Sequence, residues 1–187
     1  MVDPVGELKT RAEILQRRLV AGDTQARARL RALPELARAG EEALVEAAAR
    51  MRRKHCLAVV ARELGFASWE QAQRVLRGDA REQDHGTLMY GKEGMGTLNV
   101  WYSNHREARA HLDEARRAGQ ERYLFPYRTQ FFVVERVFVE GLGLDPDDAD
   151  WARIGYDWAR PHDPVARQRL MMKRLDAQAG TGTGGKP

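Results

Sequence analysis

The stretch LAVVARELGFASWEQAQRVLRG (residues 57–78) leaves the backbone few options: a helix, one tight corner and a second helix. Gly65 follows Leu64, the last apolar residue of the first pattern, and is free to take the left-handed conformation that ends a helix. Phe66 then stands where such an end favours an apolar contact back onto the helix. Ser68 with Gln71 three residues on forms a capping box, which starts the next helix at Trp69. A corner of this kind serves as a nucleic-acid reader or as a plain packing unit, and its residues leave both open.

Helical spacing extends back to the N-terminus. Leu8, Ala12, Leu15 and Leu19 share one face, and Gly22 with Asp23 ends that helix and caps the next. A short helix through Ala26 and Leu30 meets Pro34, and residues 41–64 read as one long helix with a weak point between Arg50 and His55. Together these predict an all-helical bundle over residues 1–79. Residues 80–86 are polar and read as a linker.

Beyond it lie all five tyrosines, three of the four tryptophans and four of the five phenylalanines. Residues 87–90 and 97–102 read as strands joined by GKEGMG as a hairpin. Asn104 and Glu107 box the start of a helix through Leu112 that stops at Gly119, and residues 122–127 read as a third strand interrupted at Pro126. Residues 130–142 place Phe131, Val134 and Phe138 on one helical face and predict a helix. Asp145-Pro146 and Asp163-Pro164 each set a cap before a first-turn proline. The expected fold class is α+β: the helical bundle, then a small antiparallel sheet packed with helices over residues 87–178, and a disordered tail at 179–187.

At 187 residues the chain suits one large domain or two small ones. No apolar run approaches the ~20 residues of a membrane span and no signal-peptide pattern opens the chain, so a cytoplasmic protein without a membrane partner is expected. The single cysteine, Cys56, excludes an intrachain disulfide and an all-cysteine zinc cage. A net charge of +4 leans basic, but the arginines interleave with Glu, Asp and Gln, as on a solvated helical surface.

Several motifs bear on chemistry. The corner at Gly65 departs from the usual DNA-reading register by one extra residue before Ser68 and by Gln71 at an expected apolar position; Gln73, Arg74 and Arg77 would be its reading residues. The loop of Gly91, Gly94 and Gly96 lacks the strand-then-helix context of a dinucleotide site. Histidines 85, 105, 111 and 162 show no zinc-type spacing, and the run Asp145, Asp147, Asp148, Asp150 has Ala149 where a calcium loop needs an oxygen ligand. No cofactor or metal is expected. Cys56 reads as a buried thiol.

The richest surface is aromatic and cationic: Trp101, Tyr102, Tyr127, Arg128, Tyr156, Trp158 and Arg160. Tyr and Trp favour half-buried positions with their polar ends wet, and arginines hold anions against such rings. The leading expectation is therefore a binding protein that meets a protein partner or a small anionic ligand there; the same rings filling a core is the plainer alternative. A nucleic-acid regulator using the Gly65 corner is the second expectation. An enzyme, the third, requires a cleft that gathers His105 or His111 with a Tyr or Asp.

Residues 56–69, ending ARELGFASW, resemble the helical module found beside ankyrin repeats and glyoxalase-related domains in bacteria. That module brings no catalytic residues, and no glyoxalase metal ligands follow here. YLFPYRTQFFVVE together with LGLDPDDADWARIGYDW is similar to an uncharacterised bacterial family of small cytoplasmic proteins. This resemblance implies a shared fold and no known activity.

Overall fold

A computed structural model describes residues 3–79, 81–90 and 99–181. The chain divides into two compact units, Met1–Arg77 and Gly78–Pro187.

The first unit is helical throughout: α1 (Pro4–Val20), α2 (Thr24–Arg29), α3 (Glu41–Arg50), α4 (Arg53–Glu63) and α5 (Trp69–Arg77), with 3-10 turns at Leu30–Ala32 and Pro34–Leu36. Asp3 and Asp23 cap α1 and α2 by accepting backbone N–H groups of Gly6 and Ala26. Helix α1 buries Leu8, Ala12, Leu15 and Leu19 and packs against α3, α4 and α5. Each fully buried leucine stabilises by about 1.5–3 kcal/mol relative to an exposed one. The long helix expected over 41–64 is two helices. At Met51 and Arg52 the backbone is extended, and the Arg52 N–H donates to His55 Nδ1 at 3.1 Å.

The corner forms as its residues require. Gly65 sits at φ +82°, its N–H reaching the Arg62 carbonyl and the Phe66 N–H reaching that of Ala61. Phe66 is buried. Ser68 Oγ accepts the Gln71 N–H, while Gln71 Oε1 accepts the Ala67 N–H. Gln71, polar where an apolar residue was expected, is therefore buried with its acceptor satisfied.

In the second unit a three-stranded antiparallel sheet runs in the order β1-β3-β2, from β1 (Val100–Tyr102), β2 (Arg122–Tyr127) and β3 (Gln130–Glu135). Around it lie α6 (His105–Arg117), α7 (Arg136–Gly141), α8 (Ala149–Arg153) and α9 (Pro164–Thr181). The expected helix over 130–142 is a correction. Its first six residues are β3, in register with Phe125 opposite Phe132 and Leu124 opposite Val133, and only α7 is helical. Central position between two strands satisfies β3 on both sides, which outweighs the local helical pattern.

Residues 87–90 are a turn rather than a strand: Leu88 and Met89 are both buried, breaking strand alternation, and the Tyr90 N–H returns to the Thr87 carbonyl. Strand β1 pairs with β3 instead of with them. The glycine loop at 91–96 lies outside the described residues. Pro126 is tolerated because β2 is an outer strand of the sheet. The start of the short helix also moves: Asp148, not Asp145, caps α8. The polar stretch expected as a linker is tied into this unit, since the His85 N–H reaches the Arg128 carbonyl and the Arg128 N–H that of Gly86. Helix α9, capped by Asp163, continues through Thr181, past the expected tail start at 179; residues 182–187 lie outside the described residues.

The pleat sorts side chains onto two faces. Under α6, Leu124 and Val133 meet Ala108 and Leu112, with Tyr102 and Phe131 at the margin. On the other face Phe125 and Phe132 pack with Phe138, Trp151 and Trp158. Such ring pairs contribute about 0.5–1.5 kcal/mol each beyond the area they bury. Two polar ends inside are satisfied: Trp151 Nε1 donates to the Asp145 carbonyl and Tyr123 Oη to that of Pro146. Burial pushes the Tyr123 phenol up to about 12.

Candidate functional site

The seven residues of the aromatic and cationic group do not meet at one place. Strand pairing puts Trp101 opposite Phe132, where the two rings stack at 4.7 Å, and the hairpin brings Tyr127 to 5.6 Å from Trp101. Arg128, exposed in the two-residue turn at φ +49°, holds its guanidinium 5.8 Å from the Tyr127 ring centre. Tyr102 and Tyr156 lie beside the opposite, α6-covered face. Trp158 is 1% exposed and is part of the interior. Arg160 is exposed, and its backbone N–H is bound to Asp157.

One ring was not singled out from sequence. Tyr90 touches Trp101 at 5.6 Å, Tyr127 at 5.0 Å and Phe132 at 5.6 Å, all edge to face. It ends the turn at 87–90 rather than a strand paired with residues 97–102, so these neighbours follow from the fold alone. Tyr90, Trp101 and Tyr127 form a partly exposed aromatic patch next to Arg128, and Trp101 keeps 39% of its surface open. Tyr156 has another cation than those expected: the Arg116 guanidinium lies 3.1 Å from its ring centre.

Two histidines are brought to the partners that an enzyme would need. His105 opens α6, where Asn104 caps the helix, and its Nε2–H donates to Asp157 Oδ2 at 2.7 Å. Asp157 is 1% exposed, and its position follows from backbone pairing. Leu124 on β2 exchanges hydrogen bonds with the carbonyl of Tyr156 and the N–H of Trp158, which pins the carboxylate between them. Its Oδ1 accepts the Arg160 N–H, and Arg109 Nη1 stands 3.6 Å from Oδ2 while donating to the Gly155 carbonyl. The 52-residue separation of His105 and Asp157 left no spacing signal. His111 Nδ1 shares a 2.7 Å hydrogen bond with Tyr102 Oη, whose phenol is pushed up by burial and then by Glu107 and Glu114.

His85 and His105 both meet the Phe131 ring edge to face, with ring centres 6.3 Å and 5.5 Å from it. Burial, then Arg167, lowers His85 to about 4, so it is neutral at pH 7. Three carboxylates of the acidic run are committed to cations, Asp147 to Arg136, Asp148 to Lys173 and Asp150 to Arg169, while Asp145 Oδ1 accepts the Asp147 N–H. Arg136 and Arg169 hold Asp147 and Asp150 below the usual carboxylate range. Among the described residues no three His, Cys, Asp or Glu side chains gather as a metal site, and no helix is long and apolar enough to cross a membrane.

In the first unit Cys56 is fully buried, and burial raises its thiol. Arg74 and Arg77 are exposed on α5, with Gln73 half-buried beside them. No protein-family model, curated protein or solved structure matches the chain.

Proposed function

We propose that the protein is a binding module whose second unit takes an extended acidic segment of a partner protein against Tyr90, Trp101, Tyr127 and Arg128. The observation that carries this reading is the patch itself: three mutually touching rings, each with open surface, beside an exposed guanidinium. Aromatic residues and arginine supply most of the energy at protein interfaces because they desolvate large area at little entropic cost. Trp101 lies on β1, an outer strand of the sheet, and among the described residues no strand pairs with its other edge. An added strand from the partner would gain main-chain hydrogen bonds there, and its aromatic or aliphatic side chains would cover the rings. Arg128 selects for a carboxylate in that segment.

The test is fluorescence anisotropy with labelled acidic-aromatic peptides, a charge-reversed basic set and benzoate as a competitor. Saturable binding of the acidic set, weakened at least tenfold by Trp101→Ala and by Arg128→Glu, is expected. Equal binding by wild type and Trp101→Ala, or equal binding of the basic set, overturns the reading. Binding of benzoate without any peptide replaces it with a small-anion site.

A further inference from the structure

We propose that His105, oriented by Asp157, is a general base at the start of α6 and that this centre hydrolyses carboxylic esters. Three features of the pair exceed what a tie between α6 and residues 155–158 requires. Each oxygen of the Asp157 carboxylate has a partner, Oδ2 the His105 Nε2–H and Oδ1 the Arg160 N–H, so it can hold the imidazole in one tautomer. In that tautomer Nδ1 carries the lone pair, and among the described residues Nδ1 has no hydrogen-bond partner. The His105 side chain retains 10% of its surface, so the ring is held firmly yet still meets solvent.

Arg109 Nη1 stands 3.6 Å from Oδ2 on the same side chain that donates to the Gly155 carbonyl, which adds a further tie holding the carboxylate in place. His105 is also the first residue of α6. Its own N–H and that of Arg106 have no acceptor among the described residues, at the end of the helix where negative charge is favoured. A base and two free amides therefore occupy one helical turn.

In the reaction Nδ1 takes a proton from water as the water oxygen bonds to the ester carbonyl carbon, whose π pair moves onto its oxygen. On collapse the carbon–alkoxide bond breaks and the alkoxide recovers the proton from Nδ1. One water is consumed, and a carboxylic acid and an alcohol are released. Esters suit this base because an alkoxide leaving group needs only the single proton that Nδ1 has just acquired.

The probe is 4-nitrophenyl acetate, with nitrophenolate release followed for the full chain. His105→Gln is the decisive variant, because a Gln amide can still donate to Asp157 but cannot accept a proton at neutral pH. A loss of at least tenfold in His105→Gln, with His162→Gln unchanged, is expected. Asp157 is a positioning residue: Asp157→Asn should lower kcat more than it raises KM and shift the Nε2–H proton resonance upfield. Wild type no faster than His105→Gln overturns the proposal whatever Asp157→Asn does. Thermal unfolding of His105→Gln at the wild-type temperature certifies that its fold is intact; a lowered transition moves the comparison to His105→Asn, judged by the same rate criterion.

Discussion

Replacing Gly143 with alanine separates backbone strain from steric overlap. Gly143 follows α7 at φ +73°, with its N–H on the Glu140 carbonyl and the Leu144 N–H on that of Val139. Gly119 ends α6 with the same pair of bonds, at φ +78°. The surroundings differ. A Cβ at Gly119 meets nothing within 4 Å, whereas one at Gly143 lies 2.7 Å from the Cβ of Ala177 on α9. The left-handed backbone costs a non-glycine residue about 1–2 kcal/mol, partly offset by about 0.4–1 kcal/mol through the stiffer unfolded chain. Gly119→Ala should therefore cost about 1 kcal/mol. Overpacking adds about 1–3 kcal/mol, because the opposing Cβ is fixed to a helix backbone and has no rotamer by which to withdraw. Gly143→Ala should thus cost about 2–4 kcal/mol.

Urea unfolding followed by tryptophan fluorescence measures both, since three of the four tryptophans belong to this unit. The overlap term is then isolated by Ala177→Gly, which costs about 1 kcal/mol of helix propensity alone but removes the opposing carbon. In the double variant the two changes should couple favourably by about 1–3 kcal/mol. Equal costs at Gly143 and Gly119, or additive behaviour in the double variant, would refute the reasoning.

The remaining expectations concern the second unit's interior and its response to acid. Trp151, fully buried, should cost roughly 3–5 kcal/mol on truncation to alanine, and half-open Trp101 less than about 2 kcal/mol; equal urea midpoints for the two variants would contradict the assigned faces. His85 binds its proton near 6.5 when unfolded but only near 4 when folded, faced by Arg167 and Arg160 and partly compensated by Glu82 and Asp84. Its contribution is therefore complete above about pH 6.5 and lost as pH falls towards 4, a total of roughly 3 kcal/mol. His85→Leu should flatten the loss of stability between pH 7 and 4.5, and an unchanged slope would show that His85 does not titrate in this way.

Sequence alone determined the parts of this protein whose hydrogen bonds close within a few residues. The corner at Gly65, the caps at Asp23, Asn104 and Asp163 and the apolar stripe of α1 all formed as their residues require. At the corner and the caps donor and acceptor lie within about one or two helical turns, and the stripe of α1 is fixed by the helical period itself, although what it packs against is decided by α3, α4 and α5. Tertiary structure decided the rest. Residues 130–135 carry a helical pattern as well as β-favouring side chains, and pairing with β1 and β2 selected the strand. Trp158 and Trp101 are indistinguishable by composition, yet strand pleat and the bridge at Leu124 buried one and exposed the other. The His105–Asp157 pair depends on a chain reversal that places residues 155–158 against β2, and no local spacing encodes that meeting. Local order follows from short-range hydrogen bonding, whereas the juxtapositions that carry chemistry arise only when separate elements compete for the same sheet.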